Sequence, residues 1–364
     1  MRCGLDRGKS MIIIGEKLNG AIPAVAEAIA RRDGEWIKDM ARKEAEAGAD
    51  FIDLCAPVEA GELEILHWMI ELVQSVTDVP ISIDSPSTEI LAKACQYCKS
   101  PGLFNSVSME SKRQIDRILQ LMQKHPGWEV IAMLCDDRGI PRCAAERLQV
   151  FKNIVKKADD YGIEQSRIHI DTVTQAAALL DPECEDGPGV AAVTKVIKTI
   201  RARYPRIHIT SAISNISYGL PARRYMNYSF AALALFHGLD SAILDPLDAG
   251  MLAVISASEK LLALPETKRK EIAEAARDKR LAEMELPLPE GKLTPGEAEK
   301  YAKLAATILS MKVLNTDAKT MAPDRNDGDR TGIIYGTAAL LGLDEYCMEY
   351  IRAYKAGWFS NTIA

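Results

Sequence analysis

The segment Ser214-Asn215-Ile216-Ser217-Tyr218-Gly219-Leu220-Pro221 carries the densest chemical information in this chain. It follows the apolar run Ile207–Ile213, which reads as a buried strand, and Gly219 and Pro221 punctuate the turn behind it. In a barrel of parallel strands, a small polar cluster just past a strand end sits on the edge where chemistry is done. Asn215 is therefore the candidate catalytic residue, with Ser217 beside it as a possible loop contact.

Polar residues end the other apolar runs as well. Glu16-Lys17-Leu18-Asn19-Gly20 follows the first, Asp53 closes the second, and Asp84-Ser85-Pro86 follows the third. Asn105 ends the fourth, Asp136-Asp137-Arg138-Gly139 follows the fifth, Asp171 the sixth and Asp245 the eighth. Singly, an Asp or Asn at such a position can cap a helix or hold a turn. Asp53 and Asp245 fit that reading best, and Asp136 and Asp137 fit a solvated loop. As a set, carboxylates with amides suit a ligand edge rich in N–H donors beside a carbonyl, such as an aminopyrimidinone. Asp accepts from an exocyclic amine and a ring N–H together, while Asn offers both a donor and an acceptor. A 2-amino-4-oxopteridine presents that edge; a sugar or a purine would satisfy the same residues.

These positions require strands to carry them. Eight short, uniformly apolar runs are present: Met11–Gly15, Phe51–Leu54, Ile81–Ile83, Leu103–Asn105, Val130–Leu134, Ile168–Ile170, Ile207–Ile213 and Ala242–Leu244. Stretches with apolar residues at helical spacing lie between them, including Gly34–Gly48, Glu62–Val76, Glu89–Cys98, Lys112–Lys124, Ala144–Tyr161, Ala191–Tyr204 and Ser229–Gly238. Eight such units in roughly 250 residues predict a (βα)8 TIM barrel over 11–264, its parallel strands covered by helices. No GxGxxG follows the first strand, which disfavours an open dinucleotide-binding sheet.

Beyond Pro265 the texture changes, and a mostly helical C-terminal region is expected over 265–364. Lys268–Arg280 is a charged helix and Leu286–Lys292 an extended linker. Thr294-Pro295-Gly296-Glu297 has the pattern of a capping box with proline at the first helical position. The apolar Ile333–Leu341 and an aromatic helix over Asp344–Trp358 complete the region.

The totals narrow the function classes. A chain of 364 residues that is 48% hydrophobic can bury a barrel-sized core. A net charge of −6 argues against a nucleic-acid or membrane surface, and no apolar run nears the ~18 residues of a membrane span. Met1–Ser10 is polar, reads as an upstream extension and lacks a secretory h-region, so a cytoplasmic location with reduced thiols is expected for the eight cysteines. The single CxxC, Cys95–Cys98, has no histidine pair nearby, and the five histidines are scattered, so no bound metal is expected.

GEKLN (Gly15–Asn19), the Ile-Asp-Ser-Pro after the third strand, Phe104-Asn105-Ser106, Ile170-Asp171 and SNISYGLP together resemble the pterin-binding barrel family. Within it they resemble the methyltetrahydrofolate:corrinoid methyltransferases, over about residues 11 to 262. The resemblance implies that Asp84, Asn105 and Asp171 hold the pterin by its hydrogen-bonding edge, and that Asn215 bonds N5 of the folate as it gains a proton. It implies that Glu16 and Asn19 order the site and that Asp136 and Arg138 lie on a loop over the substrate. The substrates would be tetrahydrofolate or 5-methyltetrahydrofolate and a corrinoid (cobalamin). No Asp-x-His-x-x-Gly is found, so the corrinoid is expected on a separate partner protein. A homodimer is a further expectation of the family. Two other readings stand beside this one: a dihydropteroate synthase-type enzyme and a non-catalytic folate-binding module. The first would place a different segment after strand one and a basic strand late in the barrel, where Ala242-Ile-Leu-Asp-Pro stands.

Overall fold

The computed structural model describes residues 11–57, 61–180, 184–187 and 189–360. The polar Met1–Ser10 segment, read as an extension, lies outside them. Eight strands form one parallel sheet: β1 (Ile12–Asn19), β2 (Phe51–Cys55), β3 (Ile81–Asp84), β4 (Leu103–Met109), β5 (Glu129–Asp136), β6 (Ile168–Asp171), β7 (His208–Thr210) and β8 (Ser241–Leu244). Neighbours in sequence are neighbours in space, and β1 pairs with β8. A bridge from Ala212 to Ile243 and the bond from Ile243 N to Ser211 O (3.0 Å) bring β7 and β8 together, so the barrel is nearly closed.

Helices return the chain from each strand to the next. They are α1 (Pro23–Ala30), α2 (Gly34–Glu46), α3 (Glu62–Val73), α4 (Thr88–Ala94), α5 (Ile115–Lys124), α6 (Ala144–Asp160), α7 (Ala191–Arg203), α8 (Arg223–His237) and α9 (Ala249–Ala263). Their apolar residues recur at helical spacing, as Ile115, Ile118, Leu119 and Met122 do on α5, and bury that face against the sheet. Each fully buried aliphatic side chain of this kind contributes roughly 1.5–3 kcal/mol.

Two expectations need correction. The apolar run Ile207–Ile213 is a strand only to Thr210; Ile213–Ser217 is a 3₁₀ turn. The Ser211 hydroxyl is drawn toward β6, 2.5 Å from Thr172 Oγ1 and 3.1 Å from Thr174 Oγ1, and the chain turns there. The helix expected from Lys112 begins at Ile115, because Gln114 is left-handed (φ 41°).

The barrel floor is polar but filled. The His169 imidazole, fully buried, lies with Nε2 2.6 Å from Glu129 Oε2 and Nδ1 3.2 Å from Ser241 Oγ. Its ring stacks on His208 at 4.8 Å, and His208 in turn bonds Asp240. Above this lies an apolar layer of Ile14, Leu103, Ile131 and Ile243.

Past the barrel come α10 (Glu266–Arg277), α11 (Pro295–Leu314), α12 (Gly328–Leu340) and α13 (Met348–Lys355). The capping box of Thr294 and Glu297 is formed at the start of α11. Helix α11 packs on α8 and α9, and α12 packs on α8. A Cβ on Gly332 would stand 2.5 Å from the Tyr225 ring, so glycine is what lets α12 approach α8 so closely. Covered from both sides, α8 is buried at every position from Tyr228 to Phe236.

Candidate active site

Side chains alternate across a strand, so register decides which face the barrel interior. On β3, Ser82 bonds Asp53 inside the barrel; two residues on, Asp84 faces the same way. Register pairs Asp84 with Asn105 on β4 and with Cys55 on β2, and pairs Met133 on β5 with Asp171 on β6. Asp84, Asn105 and Asp171 thus form one ring of inward polar side chains at the carboxyl ends of their strands.

One layer below lies Asp53, 2% exposed. Its Oδ1 accepts from Asn105 Nδ2 at 3.1 Å and from the Ser82 hydroxyl. The sequence reading of Asp53 as a turn residue is therefore wrong: the pleat turns its carboxyl into the barrel. Burial, and next the charge of Asp84, hold Asp53 well above the usual carboxylate range. Because Nδ2 of Asn105 is committed downward, its carbonyl oxygen is left to accept an N–H from a ligand.

Asp171 closes the ring. Burial pushes its carboxyl up to about 6, partly offset by the backbone N–H of Val173, 2.8 Å from Oδ1, and by the Arg147 charge. Arg147, 2% exposed, reaches from α6 to the carbonyls of Thr172 and Val173 and fixes the turn behind Asp171.

Glu16 and the Asn215 turn meet on the opposite side. Ser214 Oγ donates to Glu16 Oε2 at 3.3 Å. Burial, then the charge of Asp245, raises the Glu16 carboxyl. Asp245 is itself bonded by Lys17 Nζ at 2.8 Å, so it holds β1 to the end of β8 rather than a turn alone. Asn19 Oδ1 accepts from Ala21 N at 2.8 Å and shapes the entry to α1. The Asn215 side chain is exposed, and among the described residues none bonds its amide. Ser217, by contrast, is fully buried: it donates to Ser214 O and accepts from Arg223 Nε at 2.9 Å, which locks the turn from beneath. Asp136 and Arg138 pair with each other at 2.7 Å on the outer lip, where Arg138 is largely exposed.

Sequence reasoning passed over Arg147, Arg223 and Glu44. Glu44, on α2, is fully buried against β1. Its Oε1 accepts from Lys17 N at 3.1 Å, and among the described residues Oε2 has no partner. A Cβ at position 15 would lie 2.3 Å from that Oε1, so Gly15 makes room for the carboxyl. Burial pushes Glu44 up to about 8. Cys95 and Cys98 are pushed up by burial to about 11 and about 12, so neither is a thiolate at neutral pH.

Residues 24–245 match the family described as pterin binding enzyme. The chain is 44% identical over 254 residues to methylcorrinoid:tetrahydrofolate methyltransferase of Eubacterium limosum, covering 69% of this chain and 91% of that one. It is 28% identical over 244 residues to methionine synthase of Mycobacterium tuberculosis, covering 64% of this chain but only 20% of that much longer protein. A solved dihydropteroate synthase from Xanthomonas albilineans, with 4-aminobenzoic acid, superposes with a TM-score of 0.50 at 17% identity, over 71% of this chain and 95% of that one. At that identity the likeness is one of fold.

Proposed function

The chain belongs to the pterin-binding enzyme family, and we propose that it moves a methyl group between N5 of tetrahydrofolate and the cobalt of a corrinoid carried on a separate protein. The observation that carries this reading is the pairing of a polar ring, Asp84, Asn105 and Asp171, with an amide at its lip, Asn215, that the described residues leave unbonded. The ring matches the aminopyrimidinone edge of a pterin: carboxylates accept from its N–H groups, and Asn105 offers its carbonyl oxygen. The 44% identical relative carries this activity in its name, and the order of that name supports transfer from methylcorrinoid to folate.

In that direction the N5 lone pair takes the methyl as the Co–C bond breaks, the bonding electrons stay on cobalt, and N5 becomes cationic before losing its proton. The reverse direction needs the same protonated N5, since only then does the folate leave as a neutral amine. Asn215 meets both cases by turning its carbonyl oxygen to N5–H⁺ without adding a competing charge. The corrinoid supplies the methyl-bearing or nucleophilic cobalt. Glu16, bonded to the catalytic turn through Ser214, positions that turn; Asp136 and Arg138 stand over the mouth. Residues 11–264 form the catalytic barrel in this proposal and 265–364 its extension. The enzyme works in the cytoplasm, as a homodimer.

Anaerobic mixing of the protein with tetrahydrofolate and free methylcobalamin tests this. Formation of cob(I)alamin is expected, slowed by roughly 10²–10³-fold in Asn215→Ala, by analogy with the loss of one oxyanion-hole donor. Folate binding with undiminished transfer in Asn215→Ala would revive a non-catalytic role for this turn and sink the mechanism.

A further inference from the structure

Three 3₁₀ turns stand in a row at the mouth of the barrel: Ile213–Ser217 with Asn215, Ala177–Leu179 beyond β6, and Glu345–Cys347 between α12 and α13. The middle turn packs against both of the others. Each holds or adjoins an apolar side chain turned to solvent: Tyr218 is 74% exposed, Leu179 74% and Tyr346 53%. Met348, 46% exposed, continues the row.

The support beneath this ridge is firmly tied. Tyr346 and Cys347 both adopt left-handed backbone (φ 52° and 58°), unfavourable for side chains of their type. Asp344 holds them there by accepting from Glu349 N and Tyr350 N, each at 2.8 Å, while Cys347 is buried. The Tyr350 hydroxyl then donates to Ala222 O at 2.8 Å, which fastens the C-terminal region to the end of the SNISYGLP segment. Exposed apolar tips on three turns packed side by side, with Tyr346 held on left-handed backbone, mark an interaction surface.

We propose that this ridge is a docking surface for the corrinoid-carrying protein, and that the C-terminal region thereby takes part in recognising it. The inference rests on the methyl-transfer reading. Cobalt and N5 must share one methyl group, so the carrier has to bring its macrocycle to Asn215. Tyr218 follows Asn215 by three residues, and the other two turns are packed alongside. A protein large enough to enclose a corrinoid therefore covers the ridge when it reaches the reacting atoms.

The test uses the full chain, free methylcobalamin, and a corrinoid protein chosen because the unaltered enzyme turns it over. Tyr346→Asn, a residue that tolerates the left-handed backbone, is combined with Met348→Ser; Leu179→Ser probes the neighbouring turn separately. The expected result is a KM for the corrinoid protein raised about tenfold or more in each variant, the scale of losing a buried contact anchor. Transfer from free methylcobalamin and the melting temperature would be unchanged. An unaltered KM for the carrier would overturn the proposal. So would an unaltered KM with a dimer that dissociates, which would assign the ridge to a second copy of this chain, or an equal loss with free methylcobalamin, which would assign it to the site itself. Failure of the unaltered enzyme with both donors would instead overturn the methyl-transfer reading.

Discussion

Asp53 shows how a buried residue beside the proposed pterin site can set what that site offers a ligand. By taking the Nδ2 group of Asn105 at 3.1 Å, it selects which end of that amide faces the mouth. Asp53→Ala leaves Asn105 free to rotate and should weaken folate binding by about 1–3 kcal/mol, roughly 5- to 150-fold in Kd by calorimetry. Asp171 carries a pH signature. Its carboxyl titrates at about 6 in the fold against a usual 3.8, so the proton is bound more tightly when folded. The corresponding stability is complete below about 3.8 and is lost as pH rises through about 6, on the order of 3 kcal/mol in all. A ligand offering N–H groups favours the ionised form instead. Folate affinity should therefore rise between about pH 5 and 7, and Asp171→Asn should flatten that rise in a titration series.

Strand β1 and helix α2 meet through a buried carboxyl, and Glu44 gives that contact its own pH dependence. The group is held up at about 8 against 4.5 in an unfolded chain. Its stabilising contribution is complete below about 4.5 and is lost as pH rises through about 8, a change on the order of 5 kcal/mol. Glu44→Gln keeps an acceptor for Lys17 N and removes the ionisation. Its melting temperature should fall less than that of the unaltered protein between about pH 6 and 9, which scanning calorimetry would show. The same contact marks the limit of what the sequence discloses. The eight strands were legible because buried parallel strands are short and apolar on both faces. The capping box at Thr294 was legible because its geometry is local. Glu44 sits in Lys43-Glu44-Ala45-Glu46, indistinguishable by composition from a solvated helix face, and only the missing Cβ of Gly15 reveals where it points. Asp53 was misread because the phase of a strand depends on partners distant in sequence. Helix α1 was not among the helical stretches read from the sequence, because Pro23–Ala30 is short and half alanine, and buries only Val25, Ala28 and Ile29. The end of β7 was placed too late because hydrophobicity continues into the 3₁₀ turn while the hydrogen-bond ladder stops.

The C-terminal helices are packed into the barrel's outer wall. Helix α8 is buried around its whole circumference, Tyr225, Tyr228 and Phe230 included, because α11 and α12 cover the side that a minimal barrel would leave to water. A protein ending at residue 264 would expose this surface together with the apolar flank of α9. It should accumulate in insoluble form or bind a hydrophobic dye strongly, whereas the full chain should unfold in one cooperative transition. Separate transitions for the two parts would show that the extension is an independent unit.

The stacked His169 and His208 floor has a kinetic corollary. With the lower end of the barrel plugged, a corrinoid carrier docked as proposed over the mouth would close the doorway left to folate. Folate must then be first in and last out, and carrier that docks ahead of it blocks the entrance. Excess carrier should slow turnover by competing with folate, while excess folate should leave the carrier's access open.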